Sequence, residues 1–72
     1  MRYQVVYSYG PNQTDTNCYP VEAKDLDDCK EIIIWSMPVP WRNNIMSIHT
    51  HLPGMKDDCV LSRWTGKRWI DQ

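Results

Sequence analysis

The cations and large aromatics of this sequence gather at its end, where Arg63, Lys67 and Arg68 stand among Trp64 and Trp69. Guanidinium and indole groups are the side chains most enriched where binding energy is concentrated, so their types point to a contact patch. Trp64-Thr65-Gly66 predicts the turn of a hairpin, because glycine takes the positive φ of a tight connection and the flanking residues are strand formers. The hairpin would bring all five side chains close together. The plain structural alternative is an edge hairpin with core tryptophans and solvated cations.

Other chemistries have less to draw on. His49, His51, Cys18 and Cys59 are the residues able to ligate a soft metal, with the two histidines on one face of a strand. They lack the close Cys-x-x-Cys pairing of structural zinc sites, so neither a metal nor a cofactor is expected. For nucleophilic catalysis there are Cys and His residues, but no nucleophile elbow and no phosphate-cradling glycine loop. Asp25, Asp27 and Asp28 resemble a carboxylate cluster, which their place at a helix start explains without catalysis. The expectation is a protein that is not an enzyme. Arg42, Asn43, Asn44, Arg63, Lys67 and Arg68, with Trp64 and Trp69 as stacking surfaces, also suit a nucleic acid, a reading that steep salt dependence would separate from protein binding.

The elements that must position these residues are short. Residues 2–9 alternate, with Tyr3, Val5, Tyr7 and Tyr9 on one face, and predict a strand that Gly10-Pro11-Asn12 ends. Polar residues 13–17 read as the loop of a wide hairpin, and residues 18–23 as the second strand. Asp25 predicts a helix N-cap, Leu26, Cys29, Ile33 and Met37 a buried stripe, and Pro38 a stop near Ser36, with Pro40 keeping the connection extended. Ile32, Ile34 and Trp35 widen the apolar face, so a further element is expected to cover the helix end. Residues 45–52, 59–64 and 67–71 predict three more strands. The fold class is therefore α+β: a five-stranded antiparallel sheet with one helix packed on one face, in the order β-β-α-β-β-β, the last three strands forming a meander.

Seventy-two residues make one small domain, 1–72, with a thin core and little room for a deep catalytic cleft. The net charge of -1 hides an asymmetry: residues 1–39 carry three cations against six carboxylates, and residues 40–72 carry five against three. That balance is too mild to announce a nucleic-acid binder. The odd cysteine count and the lack of an apolar stretch after Met1 favour a reducing cytosol with thiols buried as small apolar groups. No apolar run approaches the length of a membrane span.

Two segments together carry a resemblance. Val21-Glu22-Ala23-Lys24-Asp25-Leu26-Asp27-Asp28-Cys29-Lys30-Glu31-Ile32, and Ile45-Met46-Ser47-Ile48-His49-Thr50 followed by Gly66-Lys67-Arg68-Trp69-Ile70-Asp71-Gln72, make the chain resemble small phage-encoded anti-CRISPR proteins that inhibit the type I-F surveillance complex. The resemblance implies a non-enzymatic protein, cytoplasmic in the host cell, that binds the repeated backbone subunits of the RNA-guided complex and obstructs pairing of guide and target DNA. It also implies a weak contact with DNA through a basic helix face, which Lys30 matches while Glu31 and Trp35 stand where cations are expected. Taken with the residue chemistry, the expected partner-binding set is Lys30, Arg42, Arg63, Trp64, Lys67 and Arg68. The alternative functions are another phage takeover protein that binds a host enzyme, or a small nucleic-acid-binding module.

Overall fold

In the computed structural model, which describes residues 1–72 but not the side chains of Val39 and Trp41, the alternating N-terminal segment is strand β1, Arg2–Tyr9. It pairs antiparallel along its whole length with β2, Asp15–Glu22, so the strand begins three residues earlier than its apolar residues suggest. Asp15, Thr16 and Asn17 belong to the ladder because β2 is an edge strand whose exposed end tolerates polar side chains. The reversal between the strands is correspondingly tight, with Gly10 at φ 91°.

Helix α1, Leu26–Ser36, starts and stops as its caps dictate. The Asp25 carboxylate accepts from the Asp28 amide at 2.8 Å, and Asp27 and Asp28 lie at the positive end of the helix dipole. At the other end Met37 turns extended ahead of Pro38, and its amide still reaches the Ile33 carbonyl at 2.9 Å. The chain from Val39 to Asn43 is a short 3-10 helix rather than extended, which Pro40 permits because its fixed φ suits a helical turn. Arg42 anchors this turn by donating from Nε to the Met37 carbonyl at 3.2 Å.

Strands β3, Met46–His49, β4, Val60–Trp64, and β5, Trp69–Asp71, form the expected antiparallel meander. The sheet order is β2-β1-β3-β4-β5, so α1 carries the chain from the outer β2 past β1 to its far neighbour β3. Every neighbouring pair is antiparallel, and the fold is α+β with one helix on one face. β3 is half as long as residues 45–52 predict, because the chain leaves the sheet at Thr50, and opposite Ile48 and His49 a bulge gives β4 the extra residue, Leu61.

The register places Tyr3, Val5, Val21, Met46, Ile48 and Ser62 on the face under the helix, where Cys29, Ile33 and Met37 meet them. Burial of each larger apolar side chain here stabilises the fold by about 1.5–3 kcal/mol. Of the residues that widen the apolar face, Ile32 packs against the core and Ile34 is half-buried, whereas Trp35 is 79% exposed and its indole donates to Glu31. Cys29 is buried, but Cys18 is only half-buried and Cys59 exposed, so the thiols do not all serve as core. Among the described residues no helix is long and apolar enough to cross a membrane.

Candidate functional site

The turn after β4 forms where expected, with Gly66 at φ 100° and the Thr65 amide bonded to the Arg68 carbonyl at 3.1 Å. The hairpin does not, however, gather its five side chains into one patch. Trp64 pairs with Trp69 and Arg63 with Ile70, and successive strand residues point to opposite faces, so the indoles turn under the helix while Arg63 turns away. Lys67 and Arg68 are exposed in the turn itself. Arg42 is half-buried and spent on structure: its backbone carbonyl accepts the Trp64 indole N–H.

Between the two tryptophans and α1 lies a groove of about 620 Å³. Its floor is the indole pair, with ring centroids 5.2 Å apart and planes inclined by 56°. Its far wall is the helix stripe Asp27, Lys30, Glu31 and Ile34, residues that recur at the spacing of one helix face, and its end is closed by Lys24, Asp25 and Asp28. Four carboxylates thus rim an aromatic floor against two ammonium groups.

Lys30 is not a free cation. Its ammonium lies 2.6 Å from Asp71 and 3.7 Å from Asp27, with its side chain only 15% exposed. Asp71 also accepts the hydroxyl of fully buried Ser62 at 2.8 Å, so one carboxylate ties the helix to both strands of the C-terminal hairpin. The hydrogen bonds from Lys30 and then Ser62 hold the Asp71 carboxyl below its usual range. With Lys30 paired, the surface of the groove is acidic, and it is complementary to a cationic group rather than to a phosphate.

A second cluster lies on the opposite face of the sheet, and of its members the sequence singles out only His49, as a candidate metal ligand. Ser47 and His49 alternate along β3, and the Ser47 hydroxyl stands 2.8 Å from His49 Nε2. His49 Nδ1 is 2.8 Å from Asp58 Oδ2, brought in by the loop of residues 50–59. Hydrogen bonding from His49 holds the Asp58 carboxyl below its usual range, so Asp58 is ionised near neutrality and the proton between them belongs on Nδ1. In the neutral imidazole this tautomer leaves Nε2 to accept from the Ser47 hydroxyl. The available signal was the i, i+2 spacing of Ser47 and His49 on a predicted strand, which is too common to single them out. His51, predicted to share that face, instead stands exposed beyond the strand with Nδ1 2.9 Å from Thr50 Oγ1. Among the described residues no three His, Cys, Asp or Glu side chains gather as metal ligands.

No protein-family model, curated protein or solved structure matches this chain.

Proposed function

We propose that this chain is a phage-encoded inhibitor that works in the cytoplasm of the host cell by seating on a basic protein surface, its partner being the backbone of an RNA-guided CRISPR surveillance complex. The observation that supports binding to a basic surface is the groove under α1, where acidic groups surround the Trp64–Trp69 floor. A lysine or arginine reaching into it lays its stem and charge over indole faces, a contact worth about 0.5–2 kcal/mol depending on desolvation. Its polar end meets the carboxylates of Asp27 and Glu31 in charge-assisted hydrogen bonds.

Subunits that hold a nucleic-acid backbone do so through such cations. A protein that occupies those side chains keeps guide and target strands from them by occupancy, with no bond made or broken. The choice of a CRISPR complex as the partner is supported by the resemblance carried by segments 21–32, 45–50 and 66–72, and the groove supports only the chemistry of the contact. Arg63, Lys67 and Arg68 lie outside the groove, on the other face and in the turn, where they make at most a weak contact with DNA.

The experiment is co-purification with the assembled complex, followed by hybridisation of target DNA to the guide. The double variant Asp27→Lys, Glu31→Lys should lose both binding and inhibition while still unfolding in one cooperative transition, its midpoint lowered by the loss of Asp27 from the helix start and from Lys30. The triple variant Arg63→Ala, Lys67→Ala, Arg68→Ala should keep both. The reverse pattern would move the contact to the outer side of the hairpin and refute the groove.

A further inference from the structure

We propose that Ser47, His49 and Asp58 form a nucleophilic site, independent of the groove and on the opposite face of the sheet, that takes the acyl group of an activated ester. The two contacts of 2.8 Å run in the order such chemistry requires: hydroxyl to imidazole Nε2, imidazole Nδ1 to carboxylate. Asp58 is the positioning residue, because it fixes the tautomer that leaves Nε2 free to accept a proton.

The arrangement is held from several sides. The register with β1 runs unbroken through Ser47 and His49, which keeps both side chains on one face, and the extra residue where β3 meets β4 is Leu61 of β4. The loop that carries Asp58 is pinned by its own amide bonding to the Met55 carbonyl at 3.1 Å and by Thr50 Oγ1 accepting from the Cys59 amide at 3.0 Å. Ser47 and His49 are each 9% exposed, so the pair is largely shielded without being sealed.

The surroundings supply the remaining parts. Arg63 is directly opposite Ser47 on β4, on the same face and exposed, within the roughly 4.5–5.5 Å Cβ spacing of cross-strand partners. Its guanidinium can meet an oxyanion formed at Ser47. Gln4 is opposite His49 and lines a shallow pocket of about 320 Å³ with Arg2, Thr50, His51, Leu52 and Met55. None of Ser47, His49 and Asp58 lines that pocket, which meets the site through Gln4 and Thr50, and its Leu52 and Met55 suit the short apolar chain of the ester.

In the reaction, the Ser47 hydroxyl gives its proton to His49 Nε2 as its oxygen bonds to the ester carbonyl carbon, whose oxygen takes the negative charge beside Arg63. The carbonyl re-forms, the bond to the leaving alcohol breaks, and that oxygen takes the proton from His49. A water molecule, deprotonated by His49, then attacks the acyl-serine, releasing the carboxylic acid and returning the proton to Ser47. The sum is ester plus water giving acid plus alcohol.

A fluorophosphonate probe tests the nucleophile, because Ser47 oxygen displaces fluoride at phosphorus and leaves a stable adduct. The folded chain should take one label, mapped to Ser47, and the same chain unfolded in urea should take none there. Folded His49→Gln should label more slowly by about 100-fold or more, the usual contribution of a general base. Asp58→Glu should restore part of the rate that Asp58→Ala loses. Absence of a Ser47 adduct on the folded wild-type chain overturns the proposal, whatever the variants do. So does a Ser47 adduct that forms as fast in the unfolded chain.

Discussion

Replacing Ile33 with Ala probes the helix stripe that holds the whole fold together. The side chain is fully buried and belongs to the single cluster that joins α1 to β1, β2 and β3. Truncating such a residue costs about 2–5 kcal/mol, through lost transfer free energy and the cavity left behind. A domain of 72 residues has only about 4–11 kcal/mol of stability to lose. At a cost of about 3 kcal/mol, the midpoint of thermal unfolding falls by roughly 12–24 °C, since each kcal/mol shifts a domain of this size by about 4–8 °C. Ile33→Asp places a charge at the same point and should abolish the cooperative transition. Circular dichroism melts read both, with Trp35→Ala as the comparison, because an indole that is 79% exposed contributes little to packing. If Ile33→Ala melted within about 4 °C of the parent, or no lower than Trp35→Ala, the helix would not be seated on the sheet as described.

Iodoacetamide should alkylate exposed Cys59 promptly in the folded protein and leave Cys29 untouched, because burial, aided by the charge of Asp28, pushes the Cys29 thiol up to about 11. Mass spectrometry of timed samples reads this, and equal rates at the two sites would contradict it. Asp58 and Asp71 are both held below the usual carboxylate range, so the stability they contribute is present above the unfolded value of about 3.9 and is lost as pH falls through their folded values. Urea midpoints measured below about pH 4 should therefore depend less on pH in Asp71→Asn than in the parent, and an unchanged slope would mean that the link from Lys30 and Ser62 does not form.

Most of the elements could be read directly from the chain, because each carried its own local signal. The alternation of residues 2–9 predicts β1 to the residue, and Asp25 with Pro38 brackets α1. Positions where two elements compete were harder. Residues 45–52 alternate well enough for eight strand residues, yet β3 stops at His49, and the loop that follows folds back to place Asp58 beside the imidazole. The Ser47–His49–Asp58 cluster depends on that loop, and no periodicity in the sequence reports it. Lys30 was legible as a cation on a helix, but not its pairing with Asp71, forty-one residues away. The C-terminal hairpin shows the limit from the other side. Its residues are close together in space, and the two-residue period of a strand still sends Trp64 and Arg63 to opposite faces.

The claim that the groove receives a partner's cations is tested most directly by a carbodiimide cross-link, which joins a carboxylate to a lysine only when the two are in contact. The complex formed with the surveillance backbone, treated with the reagent and digested, should show Asp27 and Glu31 bonded to lysines of the partner, and high salt during complex formation should remove those products. A stable complex whose cross-links came only from carboxylates outside the groove, such as Asp15 or Asp57, would contradict the account.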